Sequence, residues 1–287
     1  LFVLPVACHV LWRRSYYGTW LPNTLSAKTG DLSAQVGWGW DYFQRYAITV
    51  GPVLYLALFG VILGYVARRR EVLAFAVLAA LVAGYIVLVG GDWMPVYRFA
   101  SPFEPFAFLL VDLAARDIVD RRSRVATLAI AGFAIAVLAY RVDSLETSRK
   151  TILSEDRVWR ERTEGTTRWL LDHNKPGTLA LGDIGYIGYA TDYPILDLLG
   201  LVDPVISKLP GAYTWKVGPG FTDRLFDVAP RYVLIISENM NCERPSVTGS
   251  RVIYKDKRFK QQYYLPPGAA IPVGGGYAWC IYERKAA

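Results

Sequence analysis

The chain has 287 residues, 53% of them hydrophobic, 14% aromatic and 20% charged, with a net charge of +7 and a mean hydropathy of +0.23. That balance is too apolar for an ordinary soluble domain and too charged for a chain buried throughout in lipid. The positive surplus is spread over loops beside apolar runs and forms no basic helix with base-reading character, which argues against a nucleic-acid binder and for anionic lipid.

The opening stretch LFVLPVACHVLW has neither an initiator methionine nor a basic leader, so it does not resemble a signal peptide. It reads as the second half of a membrane span, residues 1–12, and the sequence is expected to be a carboxy-terminal fragment of a longer polytopic protein. A loop over residues 13–42 follows. It contains YYGTWLPNTLSAK, in which Tyr16, Tyr17 and Trp20 suit a lipid interface, Pro22 and Asn23 make a turn, and Lys28 adds a cation.

Four apolar runs, residues 43–66, 72–89, 99–115 and 125–140, come close to the length that crosses a bilayer as helix. A soluble bundle of buried helices is the alternative, and four such runs in succession disfavour it. Pro102, Glu104, Pro105 and Asp112 interrupt the third run, which is expected to be broken or re-entrant. Arg68, Arg69 and Arg70 lie between the first two runs, and Arg116, Arg121, Arg122 and Arg124 between the last two, which predicts that these loops are cytoplasmic. By alternation, loop 13–42, the stretch GGDWMPVYRF and everything after residue 140 fall on the extracytoplasmic side. Arg13, Arg14, Lys28 and Arg45 sit there against the rule, which suggests an anionic partner.

Residues 141–287 read as a soluble α/β domain. A charged stretch with sparse Ile152, Val158 and Trp169 predicts one or two amphipathic helices, ended by Lys175-Pro176-Gly177. TLALGD and YPILDLLG read as strands around a short helix in IGYIGYATD; RLFDVAPRYVLIIS reads as a helix and a buried strand; RVIYKDKRF, QQYYLPPG and YAWCIYERK read as closing strands. Gly182, Gly185 and Gly188 lack the dinucleotide spacing and are assigned to close packing, and Gly274 to Gly276 to a turn. Asp183, Asp192, Asp197 and Asp203 are expected to be mostly caps, with one or two able to meet a sugar. Cys8 lies in an apolar run, whereas Cys242 and Cys280 could pair in an oxidising compartment or remain two free thiols. With His9 and His173 as its only histidines, the chain is not expected to hold structural zinc.

The combination of YYGTWLPNTLSAK, GGDWMPVYRF and GDIGYIGYATDYPILDLLGLVDP resembles the carboxy-terminal half of bacterial GT-C glycosyltransferases. It is most similar to the group that includes mycobacterial terminal arabinofuranosyltransferases and related polyprenyl-phosphate-sugar-dependent enzymes. The resemblance implies a multi-span α-helical membrane region followed by a small extracytoplasmic α/β domain. It also implies transfer of a sugar, arabinofuranose as the first candidate, from a polyprenyl-phosphate donor to cell-envelope glycan. Phosphate-binding candidates are Lys28, Arg98, Arg14, Tyr16, Tyr17 and Asn23, because charge grows on the donor oxygens as the glycosidic bond breaks. The catalytic aspartate is implied to lie in an earlier loop, outside this sequence. Asp92 is then the carboxylate expected to line the site or contact a divalent cation, unless it only pairs with Arg98 to hold its loop. A membrane-anchored protein that binds glycan or a partner without catalysis is the alternative. A lipid transporter is a further one, disfavoured because the polar groups gather at one face.

Overall fold

A computed structural model describes residues 3–66, 68–92, 94–120, 124–211, 215–273 and 276–286. Along the chain come helices α1 (Val3–Tyr17), α2 (Asn23–Lys28), α3 (Leu32–Val50), α4 (Pro52–Val66) and α5 (Arg70–Leu88), then a 3₁₀ segment Pro95–Ala100 and helices α6 (Glu104–Asp120) and α7 (Arg124–Asp172). After these, strands and helices alternate: β1 (Leu179–Leu181), α8 (Gly185–Thr191), β2 (Ile195–Asp197), a 3₁₀ turn Ile206–Lys208, α9 (Phe221–Val228) and β3 (Tyr232–Glu238). The chain ends with α10 (Thr248–Lys255), α11 (Lys257–Gln262), β4 (Tyr263–Tyr264), β5 (Ala270–Pro272) and β6 (Tyr277–Arg284). Two compact units result, one made of Leu32–Asp156 and the other of Leu1–Asp31 with Arg157–Ala287.

In the helical unit, α3 packs on α5, and α4 on α5 and α6. Tyr42, Tyr46, Val53, Val72 and Phe103 belong to its buried core. Its outer surface is apolar as well, with Tyr55, Ile62, Leu81 and Tyr85 exposed, as expected of helices whose outer faces meet lipid. Among the described residues, two helices are long and apolar enough to cross a membrane, α5 and the α7 segment Thr127–Asp172, or three if the bent pair α3 and α4 counts as one span.

Four spans were expected from the sequence, and the described helices fall in or beside the same apolar runs. Run 43–66 is split at Gly51, with a 95° bend between α3 and the following helix; Pro52 has no N–H to continue the ladder and disfavours helical backbone in the residue before it. Run 99–115, expected to be broken, begins in the 3₁₀ segment and continues in the 17-residue α6. Residues 13–42, expected as an extracytoplasmic loop, are largely helical, and the charged stretch expected to hold one or two amphipathic helices is helical, forming the end of the 49-residue α7. Arg121, Arg122, Gly274 and Gly275 lie outside the described residues.

In the α/β unit the strand order is β2-β1-β3-β6-β4, with β5 also on β6. β2, β1 and β3 run parallel, whereas β6 is antiparallel to β3, β4 and β5. The period of two along each strand sorts side chains between two cores. Ala180, Val233, Ile235, Ala278 and Cys280 face the cluster built with Leu225, Ile253 and Phe259, while Leu179, Leu181, Leu234, Trp279 and Ile281 face the one built with Leu170 and Ile187. Helices thus cover both faces of the sheet. The stretch RVIYKDKRF is a correction too: it forms the end of α10 and the first half of α11, because Ile253 and Phe259 point into one core and Asp256 caps α11 by accepting the Arg258 N–H at 2.9 Å. Its β-branched residues suggested a strand, but burial of one helical face overrides that preference.

Candidate functional site

In the helical unit, α5 ends at Gly90 and Gly91, whose φ values of 86° and 68° turn the chain sharply. Gly91 has a second reason to lack a side chain, since a Cβ there would fall 2.6 Å from the Tyr42 ring base. The turn delivers Asp92, and the 3₁₀ segment delivers Arg98. Arg98 donates through Nε to one Asp92 oxygen and through Nη2 to the other, the latter at 3.4 Å. The carboxylate is 5% exposed and the guanidinium side chain 55% exposed, so the pair presents its positive member outward.

Aromatic groups hold that segment from α3. Tyr42 Oη accepts the Phe99 N–H at 3.2 Å, and the Tyr97 ring stands edge-on to Tyr42 and Tyr46 at 5.5 and 5.8 Å. Val96 and Tyr97 both have positive φ, 68° and 49°. Such conformations are costly for side chains of these types and persist only where the surroundings impose them. Two backbone outliers in succession beside a half-exposed arginine mark this turn as a built feature.

The other phosphate-binding candidates belong to the second unit. α1 ends at Gly18, whose N–H reaches the Arg14 carbonyl at 3.1 Å with φ 70°. On its last turns Tyr16 and Tyr17 stand edge-on at 4.7 Å, Arg13 lies over Tyr17 at 5.3 Å and Arg14 over Trp20 at 5.6 Å. Asn23 begins α2 and the exposed Lys28 ends it. The structure therefore brings Asp92 to Arg98, and Tyr16 to Tyr17. Among the described residues no three His, Cys, Asp or Glu side chains come together as a metal site, and the Asp92 carboxylate is already taken up by Arg98.

The α/β unit has its own polar feature, which sequence reasoning missed. At the carboxyl end of β1, Asp183 Oδ2 accepts from Arg162 Nη2 at 2.9 Å, and the guanidinium lies 3.4 Å from the Trp159 ring centre and 4.5 Å from that of Trp279. Beside it is a cavity of about 40 Å³ walled by Leu199, Trp215 and Trp279, large enough for a water and too small for a sugar. Burial pushes the Asp183 carboxyl up and the Arg162 guanidinium down from their ordinary values, each against the pull of the other. The spacing Trp159 to Arg162 on one helix face was the available signal; Asp183 itself reads as one of a series of acids. The others in that series are structural: Asp197 accepts the Leu199 and Val202 N–H groups, Asp203 those of Val205 and Ile206, and Asp192 ends α8 in a left-handed conformation.

Lys216 was missed as well. It is 5% exposed, and Nζ donates to the carbonyl of Thr29, the residue that closes α2. Cys242 and Cys280 form a disulfide, with 5.7 Å between Cα atoms.

A family model described as a domain of unknown function (DUF8728) matches residues 153–282, which is the α/β sheet region with the end of α7. No curated protein and no solved structure matches the chain.

Proposed function

We propose that this chain belongs to a membrane glycosyltransferase of GT-C type, which moves a sugar, arabinofuranose as the first candidate, from a polyprenyl-phosphate donor to cell-envelope glycan outside the cytoplasmic membrane. The observation that carries this reading is the Asp92–Arg98 pair. It lies in the turn directly after α5, a helix apolar enough to span a bilayer, and it turns a half-exposed guanidinium outward against a buried counter-ion. A lipid phosphate needs such a cation, pre-oriented at the end of a span.

In the reaction, the anomeric carbon leaves a phosphate oxygen and bonds to the acceptor hydroxyl oxygen, so negative charge grows on the phosphate. Fixed donors that meet that charge lower the barrier. Arg98 is the candidate for this role in the helical unit; in the other unit the candidates are Lys28, Arg14, Tyr16, Tyr17 and Asn23. The proton of the acceptor hydroxyl needs a carboxylate base. Asp92 is committed to Arg98, so its part is to line the site and aim the guanidinium.

The test is transfer from synthetic polyprenyl-phosphate arabinose to an oligosaccharide acceptor, using the full gene product in membranes. Arg98→Ala and Lys28→Ala should each lower turnover about a hundredfold, the cost of removing a charge-stabilising donor, with membrane insertion unchanged. Near-normal turnover in both variants removes the phosphate assignment, and no transfer by the unaltered protein removes the donor.

A further inference from the structure

We infer that the α/β domain docks helix α2 through Lys216, which makes this lysine the positioning residue for Asn23 and Lys28. α2 has six residues, far too few to be stable alone. At its start Leu25 N–H reaches the Pro22 carbonyl at 3.0 Å, and at its far end Thr29 Oγ1 reaches the Leu25 carbonyl at 2.9 Å and Thr29 N–H the Ser26 carbonyl at 3.5 Å. Something outside the helix has to hold it. Ala27, at 2% exposure, buries one side of α2, which packs on the 3₁₀ turn Ile206–Lys208, where Ile206 and Ser207 are themselves buried.

Lys216 completes that seat. The last carbonyls of a helix have no partner within it and carry partial negative charge, and the Lys216 ammonium donates to the carbonyl at which α2 ends. A backbone carbonyl is its partner rather than a carboxylate, and burial pushes its pKa down. Burying an ammonium against so weak a partner does not favour folding, so the bond is better explained by where it puts α2. Gly218 N–H bonds to the Pro210 carbonyl at 2.8 Å, and a Cβ on Gly218 would come within 2.4 Å of that same oxygen. A Cβ on Gly249 would fall 2.2 Å from the ring of Trp215, the neighbour of Lys216.

With Ala27 turned inward, the adjacent Lys28 stays exposed, so docking α2 fixes where Lys28 and Asn23 stand. Their use on a donor phosphate rests on the proposed function; the docking does not. The experiment is hydrogen exchange by mass spectrometry on the full chain in detergent, with transfer measured in parallel. In Lys216→Met, amides of residues 24–30 should exchange about tenfold faster, as expected on losing the capping bond, while β1, β3 and β6 keep their protection. Lys216→Arg should restore part of it. If Lys216→Met loosens the strands too, Ala27→Glu breaks the same seat from the other side and should give the same local rise. A rise in exchange together with a raised KM for the donor supports the inference. A rise with unaltered transfer leaves the docking standing and overturns the positioning of a donor phosphate, whereas unchanged exchange in both Lys216→Met and Ala27→Glu overturns the inference outright.

Discussion

Arg162 holds Asp183 at 2.9 Å while its own guanidinium is stacked on Trp159 and Trp279, so one cation serves a carboxylate and two indole faces. The side chains are 15% and 30% exposed, which makes this a partly buried pair whose removal from water is costly. Arg162→Ala leaves a carboxylate facing apolar walls and strips the indole contacts; it should cost about 2–3 kcal/mol. Arg162→Met keeps the stem and should cost about half as much. Because burial raises the Asp183 pKa above its unfolded value of 3.8, its contribution is fully present below that value and is lost as pH rises through the raised one. Denaturant titrations across pH should therefore show wild type gaining on Asp183→Asn in acid. A constant difference would mean that the Asp183 pKa is the same in the folded and the unfolded chain, with Arg162 fully offsetting the burial.

The Cys242–Cys280 bridge spans 38 residues and ties the loop after β3 to β6, with both cysteines buried. Cross-linking a loop of that length stabilises a fold by about 4 kcal/mol. Reductant should lower the melting temperature of the wild-type protein and leave a Cys242→Ser/Cys280→Ser double variant unmoved. Equal melting of all samples would show the bridge to be absent in solution.

Much of the α/β domain was legible in the sequence because its signals are local. The run from Tyr232 and the final strand through Trp279 are short, continuous apolar stretches, as a strand buried on both faces requires, and the stretch RLFDV lies in helix α9. Asp92 and Arg98 could be set side by side because a glycine turn separates them from α5 and six positions separate them from each other. What was not legible depends on distance along the chain. Lys216 meets Thr29 across 187 positions and Arg162 meets Asp183 across 21, and neither composition nor periodicity encodes such pairings. The split at Gly51 was hidden for another reason: hydropathy averages over a window and does not see that Pro52 breaks the helix inside it.

Asp256 offers a sharper pH test. Its Oδ1 accepts the Arg258 N–H at 2.9 Å to cap α11, and its Oδ2 accepts from Arg258 Nη2 at 2.8 Å. The hydrogen bond from Arg258 is the main reason that its pKa falls from 3.8 to about 2, with burial acting the other way. A depressed carboxyl contributes stability above its unfolded pKa, and that contribution is lost as pH falls from 3.8 through about 2. Asp256→Ala should cost about 1 kcal/mol at neutral pH, the worth of a helix cap, and nothing at the acid end of that window. A cost that persists in acid would assign the effect to packing.

The helical unit makes its prediction through a glycine. A Cβ on Gly39 would fall 2.1 Å from the Val87 carbonyl oxygen, so α3 and α5 meet backbone to side at that point. One turn earlier, Gln35 is 6% exposed and its Nε2 donates to the Leu88 carbonyl at 2.7 Å, satisfying the end of α5. Gly39→Ala has no flexible neighbour to push aside, because the obstructing atoms are backbone; the helices must part, at about 2–3 kcal/mol. Gly37 lies on the same helix with nothing within 4 Å of an added Cβ. Gly37→Ala should instead stabilise by up to about 1 kcal/mol through helix propensity. Thermal unfolding of both variants in the same detergent gives the comparison, and opposite signs are the expected result. Since α5 leads directly into Gly90, Gly91 and Asp92, parting it from α3 should also disturb the Asp92–Arg98 pair, so Gly39→Ala is expected to lose function while Gly37→Ala keeps it. Loss in neither would mean that this turn does not depend on the seat of α5 against α3.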